Sequence, residues 1–276
     1  MKLRIGIIGC GGIATGKHLS ALKSNGDLCE VVAFCDGILD RAKKAAQEYG
    51  VENAQVCQNY NELLANPNVD VVYVLTPNIS HSPIAVDAFH AGKHVMCEKP
   101  MAINTAEAEK MMTAWKESGK KFSIGYQNRY RADVRHLRSA CQNGDLGEIY
   151  YAKAYAIRRR GVPTWGSFIQ GSQQGGGPLI DIGTHSLDLA LWLMDNYDVE
   201  SVTGTVFKKL GKLPQATDGN LWGAWDTSKY DVEDSAIGYI KMKSGALVVL
   251  ESSWALNILK RVKQRLHFVE RKQERN

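Results

Sequence analysis

The sequence lacks the features that mark several classes of protein. Its cysteines include no C-x-x-C pair and no zinc-finger spacing, a pattern that argues against a disulfide framework and a structural zinc module. They are Cys10, Cys29, Cys35, Cys57, Cys97 and Cys141. No apolar run is long enough for a membrane span or for the core of a signal peptide. We therefore expect reduced thiols, a cytoplasmic location and no association with membranes.

A basic stripe is also missing from most of the chain. The net charge is +5, but residues 260–276 alone hold seven Lys and Arg against two Glu. The remaining residues carry 27 basic and 27 acidic side chains and are formally neutral. A neutral body does not provide the positive surface that a phosphate backbone requires, so we expect no nucleic-acid partner.

The chain is long enough for two domains. With 276 residues it exceeds the usual size of a single domain, and 44% of the residues are hydrophobic at a mean hydropathy of −0.26. This composition supports a substantial buried core. We expect two domains that share one cleft.

The N-terminal residues contain a dinucleotide-binding pattern. Residues 3–8 predict a short apolar strand, and residues 9–14 follow as G-x-G-x-x-A at the start of a helix. Gly9 permits a tight turn, Gly11 lets the backbone approach a pyrophosphate, and Ala14 allows close packing of helix on strand. The predicted cofactor contacts of this loop are Gly9, Cys10, Gly11, Gly12 and Ile13.

A second apolar run, residues 31–35, ends at Asp36. An acidic residue at this spacing accepts hydrogen bonds from the ribose hydroxyls of NAD. Its charge would repel the 2′-phosphate of NADP, which favours NAD as the cofactor and makes NADP the less suitable one. The alternative interpretation of Asp36 is a helix-capping residue.

Strands and helices continue to alternate, which predicts a parallel sheet. Residues 39–49 have amphipathic helical spacing, and residues 69–75 form another apolar strand. The turn at its carboxyl end should line the same crevice as the glycine loop. The candidate cofactor contacts there are Thr76, Pro77 and Asn78. Ser80 is placed to cap the next helix, and His81 in its first turn either contacts the cofactor or helps to cap.

A lysine follows the next predicted strand, residues 94–97. Glu98 and Lys99 should emerge at its carboxyl end, where open α/β sheets bind their ligands. Pro100 restricts the backbone of Lys99 to extended conformations and permits a cis bond, which would direct the lysine side chain. The alternative is an ordinary solvated lysine in a turn.

The character of the sequence changes near Gly125. Asn104 and Glu107 form a capping box before a helix that ends near Gly119, and residues 121–125 form the last strand of the first half. We place the domains at 1–125 and 126–276. The second begins with a helix over 133–143. Its longer strands are predicted at 149–158, 199–208, 236–242 and 246–254, with a hairpin turn at 243–245.

The predicted fold is therefore an α/β Rossmann domain with a doubly wound parallel sheet, followed by an α+β domain with a mainly antiparallel open sheet. One face of that second sheet should be open to a partner.

A glycine run at 175–177 opens an apolar helix that carries Asp181 and His185. Residues four apart share a helix face, so a carboxylate and an imidazole can point into one pocket. One alternative is that His185 is an ordinary histidine of the core. The other is that Asp181 and His185 are two of the ligands of a metal ion. No third ligand stands at convincing spacing, so we expect no metal.

Four motifs in order resemble the Gfo/Idh/MocA family of NAD(P)-dependent oxidoreductases, which includes glucose-fructose oxidoreductase and inositol dehydrogenase. They lie at 9–14, 76–81, 91–100 and 175–188, and the resemblance covers roughly the first 257 residues. It implies that Lys99, Asp181 and His185 are catalytic and flank a substrate carbon beside the nicotinamide.

The resemblance further implies oxidation of a hydroxyl on a sugar, glycoside or cyclitol. His185 would remove the hydroxyl proton, Lys99 would stabilise the oxyanion, and Asp181 would orient substrate, Lys99 or both. Further substrate contacts are expected at Gln127, Arg158 and Trp165, although residues 158–160 can equally be a solvated strand end.

The sequence is compatible with two other functions. One is redox-neutral, NAD-dependent cleavage of a glycoside, and the other is a sensor that binds dinucleotide without turnover. We also expect a homo-oligomer that forms through the second sheet if that sheet is complete.

The resemblance is expected to stop after Asn257, and the basic, strand-poor tail that follows suggests a frameshift. One synonymous codon set for residues 262–276, read after its first two bases are dropped, encodes Gly-Thr-Glu-Ala-Gly, which resembles a turn of the family. A genuine short variant with a basic tail is the alternative. Loss of terminal strands would leave residues 246–254 near an unpaired sheet edge.

Overall fold

The computed structural model describes residues 1–217 and 226–258 in full and residues 265–271 as the backbone of a strand. The chain divides into two compact units, Met1–Gly125 and Tyr126–Asn276. Each unit is built around its own sheet.

The first unit contains a six-stranded sheet in which every pair of neighbours is parallel. Its strands are β1 (Leu3–Ile8), β2 (Cys29–Cys35), β3 (Gln55–Cys57), β4 (Val71–Val74), β5 (His94–Cys97) and β6 (Phe122–Ile124), in the order β3-β2-β1-β4-β5-β6. The strand order reverses between β1 and β4. In a doubly wound sheet this is the crevice in which ligands bind, so the topology places the glycine loop at that crevice.

Helices cover both faces of this sheet. They are α1 (Leu19–Ser24), α2 (Leu39–Tyr49), α3 (Tyr60–Leu64), α4 (His81–His90) and α5 (Thr105–Ser118). Apolar side chains form two buried clusters, one on each face of the sheet. This double coverage explains why the strands read as continuous apolar runs in the sequence.

The helix ends test three sequence predictions. The Asn104 side chain accepts a hydrogen bond from the Glu107 backbone at 2.9 Å, and Gly119 ends α5 with a left-handed φ of 63°. The Asn104 cap and the helix end are as predicted. Among the described residues only the Asn104 half of the capping box is formed, and Oε1 of Glu107 accepts from Nζ of Lys110 at 2.6 Å. The capping role of Ser80 is wrong: Ser80 occupies the N-cap position of α4, but its side chain makes no capping hydrogen bond. A 3-10 turn over Asn78–Ser80 enters α4 directly and holds Ser80 in helical backbone geometry.

The second unit contains a mixed sheet with five strands among the described residues, in the order β11-β7-β10-β9-β8. The strands are β7 (Glu148–Ile157), β8 (Val199–Phe207), β9 (Ser235–Met242), β10 (Leu247–Ser253) and β11 (Arg265–Arg271). The pair β7–β10 is parallel and the other pairs are antiparallel. The mainly antiparallel sheet predicted from the sequence is confirmed.

The helices of the second unit are α6 (Ala132–Gln142), α7 (Gly171–Gln174) and α8 (Thr184–Met194). Helix α8 packs on one face of the sheet, where small alanines of β7 meet larger side chains of β9 and β10. On the opposite face, Ile237 and Tyr239 of β9 remain 38% and 52% exposed. That face of the sheet is open, as expected.

The structure corrects two expectations about the C-terminal tail. Strand β10 does not lie near an unpaired edge, because it pairs with β7 on one side and β9 on the other. The tail is not poor in strands over 265–271, since β11 pairs antiparallel with β7. Residues 259–264 and 272–276 lie outside the described part of the chain. The frameshift stays a prediction.

None of the helices in the described part combines the length and apolarity that crossing a bilayer requires. All six cysteines lie in the described part, and each is a free thiol.

Candidate active site

The glycine loop after β1 forms a cradle that is open on its outer side. Gly9 has φ of 95°, and a Cβ added there would lie 2.6 Å from the carbonyl oxygen of Leu75. A Cβ added at Gly11 or Gly12 would meet no described atom within 4 Å. Gly9 therefore serves the fold, whereas Gly11 and Gly12 leave free space beside the backbone. Cys10 and Ile13 complete the loop, with Cys10 buried and Ile13 exposed.

Asp36 ties the end of β2 to this loop. Its Oδ2 accepts a hydrogen bond from the Cys10 backbone N–H at 2.8 Å, and its Oδ1 accepts one from the Ile38 N–H at 2.8 Å. The second bond closes a local turn before α2. The alternative interpretation of Asp36 as a helix cap is wrong, because the N-cap residue of α2 is Ile38 and no side chain caps this helix. Two carboxylate oxygens offer about four acceptor positions, so the same group retains capacity to bind ribose hydroxyls.

The turn after β4 carries Thr76, Pro77 and Asn78. The Oγ1 of Thr76 is buried and has no hydrogen-bond partner within the described part of the protein. Pro77 precedes the 3-10 turn that begins at Asn78. A buried hydroxyl without a partner beside an open glycine cradle is chemically suited to a polar ligand.

His81 links this turn to the turn after β5. Its ring is 1% exposed, with Nδ1 2.8 Å from the Pro100 carbonyl and Nε2 2.9 Å from the Thr76 carbonyl. Burial lowers the pKa of His81, and the two carbonyls oppose that shift. A neutral imidazole carries one N–H and can donate to only one of these carbonyls at a time, so His81 hydrogen-bonds one of the two loops and lies against the other.

Glu98 and Lys99 lie at the carboxyl end of β5, and the Lys99–Pro100 bond is cis. The Glu98 Oε2 accepts the backbone N–H of Lys99 at 3.0 Å, and its Oε1 is 2.8 Å from Nε2 of His18. Burial raises the pKa of Glu98, but the His18 hydrogen bond and the neighbouring positive groups outweigh burial and hold it below its ordinary value. Glu98 is therefore ionised at neutral pH.

The glycine run of the second unit starts a π-helical turn, Leu179–Gly183, which continues into α8. Glu233 accepts hydrogen bonds from the N–H groups of Gly177 at 2.8 Å and Leu179 at 3.2 Å. A carboxylate at a helix start compensates the unpaired N–H groups and the positive end of the dipole. Single π-turns occur often at functional sites, and this one contains Asp181.

Asp181 and His185 are both half-buried and lie one turn apart on this segment. The Oδ2 of Asp181 accepts a hydrogen bond from Nε1 of the fully buried Trp254 at 2.9 Å. The ring of Tyr126 meets the His185 ring edge to face, with centroids 6.4 Å apart. The Tyr126 hydroxyl lies 3.0 Å from Oγ1 of Thr184. Asp181 and His185 are thus each in contact with an aromatic side chain, Trp254 and Tyr126 respectively.

A partly buried ion pair lies beside the ring of Tyr126. Arg129 binds both carboxylate oxygens of Asp188 and lies 5.6 Å from the ring centroid of Tyr126 and 5.7 Å from that of Trp192. Burial raises the pKa of Asp188, and Arg129 counteracts part of that shift. The stacked guanidinium fixes the ring that touches His185.

The other predicted substrate contacts lie on separate segments. Gln127 is exposed in a 3-10 turn, Gln127–Tyr130. Arg158 follows β7, is exposed, and donates to the Gly161 carbonyl at 3.1 Å. Trp165 is 39% exposed and packs on Phe168 at 5.1 Å between ring centroids. Their part in substrate binding stays a prediction.

Three residues that contact the predicted groups were not predicted from the sequence: His18, Tyr126 and Trp254. His18 is 80 positions from Glu98, and Trp254 is 73 positions from Asp181. Such partners are brought together by the fold and leave no local pattern. Among the described residues, no group of three or more His, Cys, Asp or Glu side chains is placed to hold a metal ion.

Comparison with known proteins now identifies the family. A model described as the oxidoreductase family with an NAD-binding Rossmann fold matches residues 3–126, and a Gfo/Idh/MocA C-terminal domain model matches residues 134–269. The chain belongs to the Gfo/Idh/MocA family. The second match passes Asn257, so the expectation that the likeness stops there is wrong.

Curated relatives have dehydrogenase names. The chain is 42% identical to a D-glucoside 3-dehydrogenase of Escherichia coli over 93% of its own length and 71% of the relative's. It is 30% identical to a myo-inositol 2-dehydrogenase of Thermotoga maritima over 91% of its length and 68% of the relative's. Among solved structures, aldose-aldose oxidoreductase from Caulobacter crescentus superposes with a TM-score of 0.79 at 29% identity, covering 93% of this chain and 72% of that one.

The cradle fits the cofactor of this family. Gly11 and Gly12 leave room for a pyrophosphate, Asp36 offers acceptors for ribose hydroxyls, and Thr76 offers a buried hydroxyl. The chain is an NAD-dependent dehydrogenase that acts on CH–OH groups.

Proposed function

We propose that this dehydrogenase oxidises a secondary ring hydroxyl of a sugar, glycoside or cyclitol. The observation that carries the proposal is that Lys99 follows the carboxyl end of β5 and that Asp181 and His185 lie on an anchored helix start. The names of the relatives support this substrate class. The 42% identity to a glucoside 3-dehydrogenase makes the C3 hydroxyl of a glucoside the first to test.

The proposed mechanism assigns one task to each side chain. His185 accepts the proton of the substrate hydroxyl at a ring nitrogen, a task for which an imidazole is suited near neutral pH. Lys99 stabilises the negative charge that develops on the same oxygen. Asp181 orients the substrate, with one carboxylate oxygen fixed by Trp254. NAD, when bound, supplies the nicotinamide ring that accepts hydride from the carbon.

The proposal divides the work between the two units. Residues 1–125 bind the dinucleotide through the glycine loop, Asp36, the turn at 76–78, His81 and the Glu98–Lys99 pair. Residues 126–276 bind the substrate through Asp181 and His185, with Gln127, Arg158 and Trp165 as further contacts.

The decisive experiment is a screen of glucosides, free sugars and cyclitols with NAD, in which NADH is followed by its absorbance. We expect NADH formation with at least one ring polyol. Cleavage of a glycoside without net NADH would favour the redox-neutral enzyme. Saturable binding of NAD and a sugar with neither product would favour the sensor.

Removal of either proposed catalytic side chain should reduce turnover without loss of the cofactor. In Lys99→Ala and His185→Ala we expect kcat to fall by roughly 10²- to 10⁴-fold, because charge stabilisation or proton transfer is lost. The Kd of NAD, measured by fluorescence titration, should change little. Near-normal kcat in either variant would show that the site is wrongly assigned.

Cofactor choice should depend on the charge of Asp36. We expect NAD to bind more tightly than NADP, because a carboxylate that accepts from the ribose hydroxyls would repel the added phosphate. Asp36→Asn removes the charge but keeps an acceptor and should narrow the difference. Equal Kd values for the two cofactors in the wild-type protein would contradict this prediction.

We also propose that the open face of the second sheet binds a second copy of the chain in the cytoplasm. The face carries Ile237 and Tyr239, exposed apolar groups of the kind that interfaces bury. Tyr239→Lys should lower the mass measured by light scattering, whereas Lys43→Ala on the exposed surface of α2 should not. A wild-type monomer at all concentrations would refute the interface.

A further inference from the structure

A carboxylate connects the helix after the glycine loop to the backbone of Lys99. Glu98 uses Oε1 for His18 and Oε2 for the N–H of Lys99, at 2.8 Å and 3.0 Å. The side chains of His18 and Glu98 are only 15% and 13% exposed. Each oxygen of the carboxylate therefore has one defined partner in a nearly dry setting, where charge-assisted hydrogen bonds are strong.

The surroundings of the pair restrict its movement. The ring of His18 meets the ring of Tyr73 edge to face at 5.8 Å and 88°. On the other side, a Cβ added at Gly125 would lie 3.1 Å from Oε1 of Glu98. The carboxylate is thus confined between the β6 end and His18, and it has little freedom to find another position.

The backbone that leads to His18 has an unusual, π-helical conformation. It is the last residue of a π-helical turn, Ala14–His18, in which the N–H of Leu19 bonds to the carbonyl of Ala14. The turn begins two residues beyond Gly12, so the segment that would contact a pyrophosphate also sets the position of the imidazole. π-turns occur often at functional sites.

We propose that His18 is a positioning residue for Lys99 and acts through Glu98. Loss of the His18 bond frees the carboxylate to rotate, and the backbone of Lys99 loses the acceptor that fixes it. The ammonium group then occupies its catalytic position for a smaller fraction of the time. This inference rests on the proposed function, in which Lys99 touches the substrate.

Two variants of similar polarity distinguish the hydrogen bond between His18 and Glu98 from the packing of the His18 side chain. The amide nitrogen of glutamine reaches the position of Nε2, so H18Q retains a donor to Glu98, whereas the shorter H18N does not. We expect kcat of H18N to fall by about 10- to 100-fold, as a small misplacement of a catalytic group does. H18Q should stay within about threefold of wild type. The exposed His136 of α6 provides the control variant H136N, which should leave kcat unchanged.

A second comparison shows whether the effect passes through Lys99. In the K99A background the H18N substitution should have no further effect on kcat, because the group it positions is gone. Additive losses would overturn the proposal. A rise in the Kd of NAD for H18N with unchanged kcat would also overturn it, since that result would assign His18 to cofactor binding.

A measurement without substrate keeps the test independent of turnover. Competitive trace acetylation, read by mass spectrometry, reports the reactivity of the Lys99 amine in the folded protein. H18N should change this reactivity and H18Q should not, even if no sugar is oxidised by the wild type. Equal Lys99 reactivity in wild type, H18N and H18Q would overturn the positioning role. Failure of the sugar screen alone would refute only the proposed function.

Discussion

The two glycine-rich loops of this protein look alike in sequence and differ in physical role. In the loop after β1, Gly11 and Gly12 face space in which an added Cβ would meet no described atom within 4 Å. In the loop before α8, a Cβ at Gly177 would lie 2.1 Å from the Glu233 carbonyl oxygen. The first loop leaves room for a ligand, and the second brings two backbone segments into close contact.

The difference shows that a glycine run alone does not identify a phosphate site. Both loops lead into π-helical turns, and both present backbone N–H groups at a helix start. In the second loop a protein carboxylate, Glu233, already binds those groups. The second loop therefore anchors the helix that carries Asp181 and His185, and only the first is open to an external anion.

The largest effect on stability should come from a methyl group added in the loop before α8, where Gly177 lies against the Glu233 backbone. Gly177→Ala should lower the free energy of unfolding by about 3 kcal/mol, because the methyl group collides with backbone that cannot rotate away. Urea denaturation measures the change, with Gly11→Ala as the matched control. An unchanged midpoint would mean that the backbone at Glu233 moves aside for the methyl group at little cost in free energy.

Local backbone requirements explain what the sequence could predict. Gly9 with its positive φ, the Asn104 cap and the Gly119 helix end each act within a few residues, so their patterns are visible in the chain. The alternation of strands and helices likewise led to the correct sheet types.

Contacts between distant residues explain what could not be predicted. Nothing near Asp181 indicates that Trp254 donates to it, and nothing near Glu98 indicates His18. The short β3 and the strand β11 were missed for a related reason. β3 has only three residues, and β11 pairs with β7 far back along the chain, so the residues of these two strands carry little signal of their own.

An intermediate effect, on the affinity for NAD, should come from a methyl group added in the loop after β1. Gly11→Ala should change the free energy of unfolding by no more than about 0.5 kcal/mol, since the methyl group enters unoccupied space. The Kd of NAD should rise at least about tenfold, which corresponds to about 1.4 kcal/mol, because the backbone can no longer approach the pyrophosphate. Isothermal titration measures the affinity. Wild-type affinity in this variant would mean that the loop is not the cradle.

The smallest effect should be the loss, in acid, of a contribution to stability from an ion pair at the amino end of the first sheet. Arg4 of β1 donates hydrogen bonds to both carboxylate oxygens of Asp70, at 3.0 Å and 2.8 Å, and lowers the pKa of Asp70 to about 2. A carboxyl group whose pKa is depressed in the folded state stabilises the protein above its unfolded pKa of about 3.9. That contribution is lost as the pH falls from about 4 to about 2. Both side chains are about one third exposed, so water and salt weaken the pair.

Substitution of Arg4 by Met should therefore lower Tm slightly at pH 6, and the difference from wild type should shrink as the pH falls through this window. Thermal unfolding followed by circular dichroism at several pH values measures the trend. Lys43→Met provides the control, since Lys43 pairs with Asp40 on the surface at 3.5 Å. A Tm difference that stays constant between pH 6 and pH 3 would show that Arg4 stabilises β1 through packing of its side chain and not through the charge of Asp70. The cradle lies at the opposite, carboxyl end of these strands, so NAD affinity at pH 7 should be the same in both variants.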